Sequence, residues 1–198
     1  MIVLIGNVCL LVTCLLSTLG AAIHYDAITK RIFDRLSIGI YVLIILMIVA
    51  LVRSDFSLLY VFSHSHSQLS YGMKIAALWG ASSGTWLLMI GLLTLWCHGV
   101  YGQLQTFDYK WLRYVMGFLA LMLWGLYLID SPFSANMLPV SQGLDLNPLL
   151  QDSGMMIHPP ILLAGYVGSM VPFFISKAGD SQEIRAVLRQ QLRIAFSL

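Results

Sequence analysis

The side chains with the best claim to chemistry are few, and one stands at a junction. In "NPLLQDSGMMIHPPILLAGYVG", residues 147–168, a loop containing Asp152 and no cation leads to His158, then to two prolines and an apolar run. The residue before a proline is pushed out of the helical region. His158 and Pro159 are therefore expected outside a regular turn, with a helix starting at or just after Pro160, where proline costs little. An imidazole held at a helix mouth has three uses. It can ligate haem iron through one nitrogen while an acceptor holds its other N–H. It can relay protons, or it can cap the helix and sit at a membrane interface. Spacing alone leaves all three open.

A second stretch, "YGMKIAALWGASSGTWLLM", carries Trp79 and Trp86 around a Gly80-x-x-x-Gly84 pair. The two indoles could wall a flat apolar ring, or serve as ordinary packing and aromatic-belt residues. Ser82, Ser83 and Thr85 add hydroxyls able to bond across helices. His64 and His66 lie two apart and would share a face in a strand, but no third metal ligand accompanies them. His24 and His98 fall at helix ends and are given no role. Ala164 with Gly168, and Gly165 with Ser169, have the small-residue spacing that lets membrane helices approach closely. Pro172 should kink the same helix. The three cysteines, Cys9, Cys14 and Cys97, show no C-x-x-C pair, which argues against thiol exchange. Phosphate loops, nucleophile elbows and H-E-x-x-H motifs are absent.

The elements that must position these residues are membrane spans. Of the 198 residues 59% are hydrophobic and only 10% charged, well below the roughly 25% charge of a soluble domain. A net charge of +2 gives no reason to expect nucleic acid. Five stretches approach the roughly 20 apolar residues that cross a bilayer: Ile2–Ile23, Leu36–Val52, Ile75–Trp96, Tyr114–Ile129 and Pro159–Ser176. The expected fold is all-α, a polytopic bundle over 1–176 with long outer loops at 54–74 and 130–157. A basic amphipathic tail on the cytoplasmic side, 177–198, follows it. Lysine and arginine collect on the cytoplasmic side. Lys30, Arg31, Arg35, Lys110, Arg113, Lys177, Arg185, Arg189 and Arg193 share one side of this arrangement; only Arg53 and Lys74 fall on the other. That asymmetry predicts an N-terminus outside and puts His158 at the outer surface.

The segments "GLDLNPLLQDSGMMIHPPILLAGYVGSMVPF" and "SHSQLSYGMKIAALWGASSG" resemble the N-terminal part of the cytochrome c-type biogenesis proteins CcmF and NrfE. The likeness covers most of residues 60–176. It implies a membrane subunit of a haem lyase, resident in a bacterial inner membrane or, alternatively, a mitochondrial one. Such a subunit receives haem b from a membrane-anchored chaperone at the outer face. With other maturation subunits it supports thioether attachment to apocytochrome c. In that frame His158 matches a histidine that holds haem iron, and Trp79 and Trp86 are candidate porphyrin walls. The chain departs from the family where a His-Glu pair usually follows the W-G, since Ser82 and Ser83 stand there. The family's tryptophan-rich segment and later histidines have no counterpart within these 198 residues. The chain is therefore expected to be a fragment, a split-gene product or a degenerate copy, and is not expected to be active alone. Two other functions compete: an inactive structural fragment, and a piece of a transporter or channel using His158 and Asp152. The near absence of ionisable residues within the spans disfavours the transporter.

Overall fold

A computed structural model describes residues 1–101, 109–138, 140–178 and 182–197. Eight α-helices are described: α1 Ile2–Ala22, α2 Asp26–Arg53, α3 Leu59–His64, α4 Tyr71–Ala76, α5 Ser82–Tyr101, α6 Lys110–Leu128, α7 Ser153–Ile175 and α8 Gln182–Ala195. Five are long and apolar enough to cross a membrane, as the sequence led one to expect: α1, α2, α5, α6 and α7. The protein is a polytopic helical membrane protein.

Helix α1 is inverted relative to a helix of a soluble bundle. In α1 the buried residues are Gly6, Leu10, Thr13, Cys14, Ser17 and Gly20, while Leu4, Val8, Val12, Leu15 and Leu19 face outward. Small residues at this spacing admit neighbouring side chains, and the large apolar face is left for lipid. The Phe133 ring lies against Gly6 and the Met116 sulfur against Gly20, each where a Cβ would stand. The hydroxyls of Thr13 and Ser17 turn back onto the carbonyls of Leu10 and Cys14, at 2.7 and 2.8 Å, so neither is left unpaired in the core.

The centre of the bundle is α2. Its residues Phe33, Leu36, Ile40, Leu43, Met47 and Ala50 are buried. They alternate three and four apart, which keeps one narrow seam turned inward over about five turns. Helix α1 packs on α2 and α6, α5 packs on α2 and α7, and α8 packs on α7.

Two span boundaries differ from expectation. Helix α2 begins at Asp26, so most of the supposed connection 24–35 is helical. No glycine or proline interrupts 26–35, and Asp26 suits a helix N-terminus. At 28 residues the helix is about 42 Å long, and its first turns project past a hydrocarbon core about 30 Å thick, carrying Lys30, Arg31 and Arg35 with them. The expected span Ile75–Trp96 is broken instead: α4 ends at Ala76, a 3-10 turn covers Ala77–Trp79, and α5 starts afresh at Ser82. Within the connection at 98–113, residues 102–108 lie outside the described residues.

Candidate functional site

At one end of the bundle the two long connections are sewn into a single cap. Leu58 and Ala135 form an antiparallel bridge, with Leu59 N–H donating to Ser134 and Asn136 N–H to Ser57, at 2.9 and 2.8 Å. Further along, Leu144 N–H donates to the Phe62 carbonyl at 2.8 Å. Gly143 is required there because the Ser65 carbonyl occupies the place of its Cβ. Asn7 of α1 donates to the Phe133 carbonyl at 2.9 Å and accepts from Ser131 at 3.1 Å, which ties the cap to the N-terminal end of the chain. The N-terminus and both long loops thus share one end, as their assignment to one side requires.

Tyr60 explains the break before α5. Its buried hydroxyl lies 2.8 Å from the Ala77 carbonyl and 2.9 Å from that of Leu78, giving two acceptors a partner from outside the helix. Gly84 makes room for this staple; a Cβ there would meet both the Leu78 carbonyl and the Tyr60 hydroxyl. Burial, together with the nearby Asp130 carboxylate, pushes the Tyr60 phenol well above the ordinary tyrosine value.

Helix α7 enters differently from the expectation at Pro160. It starts at Ser153, with the Asp152 carboxylate accepting from Gly154 N–H at 2.8 Å. His158, Pro159 and Pro160 therefore lie inside the helix, not before it. The rule for residues preceding proline is a local bias. Here it yields to a good N-cap and to Met156 packing over Gly72 of α4, its sulfur 3.4 Å from where a Cβ would stand. The prolines forgo only the bonds that their N–H groups would have made to the carbonyls of Met155 and Met156.

The placement of His158 follows. Ile157, His158, Ile161, Leu162, Tyr166, Ser169 and Phe173 form an exposed stripe down α7. The opposite face, with Val167, Gly168 and Val171, is buried. His158 stands at the capped end of that stripe, and its ring has no hydrogen bond among the described residues. The small residues do what their spacing suggested: Trp96 of α5 donates from Nε1 to the Ala164 carbonyl at 2.9 Å, and its ring lies 2.7 Å from where a Gly168 Cβ would be.

The other candidates go elsewhere. Trp86, 45% exposed, faces α6 and lies 3.4 Å from a Gly125 Cβ position. Ser82, Ser83, Leu126 and Asp130 line the same cavity of about 250 Å³, and His158 does not. Trp79 is half-buried in the turn before α5. His64 ends α3, its Nδ1 3.0 Å from the Tyr60 carbonyl and its ring 4.7 Å from the Tyr60 ring, whereas His66 accepts from Gln68 N–H at 3.2 Å. The two histidines share no strand face. Among the described residues, no cluster of three or more metal-ligating side chains occurs. Lys74 is 7% exposed, and its ammonium donates to Ser54 at 2.9 Å beside the C-terminus of α2. A feature not anticipated is the 2.8 Å bond from Ser82 to Asp130, which joins the start of α5 to the end of α6.

Comparison with known proteins decides what this arrangement belongs to. A family model described as cytochrome C assembly protein matches residues 86–185, which take in most of α5, all of α6 and α7, and the start of α8. The chain belongs to that family. Within it the relatives are of the CcmF and NrfE type. The chain is 38% identical to the probable cytochrome c-type biogenesis protein NrfE of Escherichia coli K12 over 129 residues, 63% of this chain and 23% of that one. It is 40% identical over 130 residues to CcmF of Pseudomonas aeruginosa, covering 63% of this chain and 20% of that one. A solved structure described as cytochrome c heme lyase CcmF has the same fold, with a TM-score of 0.80 at 21% identity over 99% of this chain and 34% of that one. The chain thus spans about a fifth of the length of the curated relatives it matches. In this cytochrome c assembly protein, Ser82 and Ser83 open α5 and line the Trp86 cavity.

Proposed function

We propose that the chain serves cytochrome c maturation as part of a membrane haem lyase. It would help to hold haem b at the outer face of a bacterial inner membrane for thioether attachment to apocytochrome c. Membership of the CcmF/NrfE-type family supports the process. The observation that carries the reading is the exposed, unbonded ring of His158 at the capped end of α7. Haem is here the cargo, and the thioether chemistry is its own and that of the incoming cysteines. His158 would present one axial nitrogen, while Ile157, Ile161 and Leu162 on the same face offer a dry apolar wall. Trp79 and Trp86, at the head of α5, are secondary candidates for porphyrin contact.

The donor set fits half of such a site. One imidazole is present, and a second axial ligand must come from another segment or subunit. Lys74 is committed to Ser54, and Arg53 is an exposed cation at this end for a haem propionate. The excess of lysine and arginine at the other end of the bundle supports placing the cap, His158 and the N-terminus outside the cytoplasm. Docking of the haem chaperone and apocytochrome on the capped end follows from that orientation, alongside contacts with the other maturation subunits.

The test is a titration of the purified chain in detergent with ferric haem b, followed by its absorbance in the Soret region. A histidine-ligated spectrum that is lost in His158→Ala supports the reading. An unchanged spectrum in that variant removes His158 from the haem path.

A further inference from the structure

The C-terminal helix carries a feature that haem ligation does not use. Helix α8 turns back along α7, and Ala195 reaches Gly168, with only 3.2 Å between the Ala195 Cβ and the place of a Gly168 Cβ. Gly168 stands seven residues before the end of α7, so the last turns of α8 lie about 10 Å inside that span. The buried face of α8 is Ile184, Val187, Gln191 and Ala195; Arg185, Arg189 and Arg193 rise on its outer face at intervals of four.

Two grooves meet there. One, of about 340 Å³, is apolar, bounded by Leu92, Leu95 and Trp96 of α5 and by Gln191 and Ile194 of α8. The other, of about 620 Å³, is cationic, bounded by Arg189, Gln190, Arg193 and again Ile194. Helices α5 and α7, which flank α8, contain no aspartate or glutamate. Arg189 and Arg193 have no ion-pair partner among the described residues. Gln191, which lines the apolar groove, is 2% exposed, and its Oε1 has no hydrogen-bond donor among the described residues. Two guanidinium groups at the edge of the bilayer with no carboxylate partner among the described residues, and a buried carbonyl oxygen with no described donor, are both costly unless something else completes them.

We infer that this corner is a binding site for one molecule of phosphatidylglycerol. The charge pattern selects an anion, and the anion that resides at the edge of the hydrocarbon is a lipid phosphodiester. The guanidinium forks suit it bidentately, their long stems reaching back toward the headgroup layer. An acyl chain occupies the apolar groove beside Trp96, and a glycerol hydroxyl of the headgroup donates to Gln191. This assignment stands independently of the haem reading.

Native mass spectrometry of the delipidated chain, titrated with dioleoyl-phosphatidylglycerol and with dioleoyl-phosphatidylcholine, tests it. One phosphatidylglycerol should bind in clear preference to phosphatidylcholine. The double variant Arg189→Gln/Arg193→Gln should bind it about 30-fold more weakly, each cation near the surface being worth about a factor of five. Arg31→Gln/Arg35→Gln, with the same charge change at the same end, should leave the affinity within about twofold. Arg189→Lys/Arg193→Lys should fall between the wild type and the glutamine pair, since it keeps charge and loses the fork. Gln191→Leu should weaken binding while raising the thermal stability of the lipid-free chain. Equal uptake of the two lipids, or an equal loss in the Arg31/Arg35 control, overturns the site. So does a lipid-excluding dimer in which a second copy fills the grooves.

Discussion

Gly84→Ala puts the cap to a quantitative trial. The added methyl group meets two obstacles, the Leu78 carbonyl oxygen and the Tyr60 hydroxyl. A backbone carbonyl cannot rotate aside as a side chain can, so the ordinary cost of overpacking applies, about 1–3 kcal/mol. Displacing the hydroxyl also loses its bond to the Ala77 and Leu78 carbonyls, about 0.5–1.5 kcal/mol net. Alanine returns about 1 kcal/mol over glycine through helix propensity. The balance is a destabilisation of about 0.5–3.5 kcal/mol, read from unfolding of the chain in mixed micelles on titration with dodecyl sulfate. Tyr60→Phe alone should cost about 1 kcal/mol. In that background Gly84→Ala should cost about 1 kcal/mol less than in the wild type, because one obstacle is already gone. A Gly84→Ala protein within about 0.5 kcal/mol of wild type, or strictly additive costs in the double variant, would refute the staple.

Asp152→Ala should destabilise by about 1 kcal/mol through loss of the N-cap; hydrogen exchange at the first turn of α7 should accelerate, while amides of α1 and α2 should be unaffected. Tyr60 predicts a pH effect in the alkaline range. An unfolded tyrosine ionises near pH 10, whereas burial holds the folded one protonated to higher pH. Its contribution is therefore intact below about pH 10 and is lost as pH rises above that value. Tyr60→Phe should flatten this alkaline slope in a stability-against-pH series.

The spans were legible because the bilayer imposes length and composition on each segment alone. Ile2–Ile23 and Tyr114–Ile129 in the sequence became Ile2–Ala22 and Lys110–Leu128 in the fold. The inward role of Gly168 was legible for a related reason, since small residues four apart mark close contact whatever the partner. What could not be read required a partner distant in sequence. The break at Ala77–Trp79 depends on Tyr60, seventeen residues earlier. The helical setting of His158 depends on the Asp152 cap and on Gly72 beneath Met156. A rule about the proline neighbour saw neither. The family resemblance made Trp79 and Trp86 candidate porphyrin walls; in this structure Trp86 turns toward Gly125 and His158 toward the open face of α7. The turn of α8 back along α7 was hidden because amphipathicity specifies a face and not the surface it meets.

The bond from Asn7 to Phe133 has a consequence for biogenesis. Its partners are 126 residues apart, so the seam between the N-terminus and the returning loop can close only after four spans have been threaded. A first helix inserted upside down would leave Asn7 in the opposite compartment, and the seam could not form. The stitch therefore forms only in chains whose first and fourth spans agree on direction.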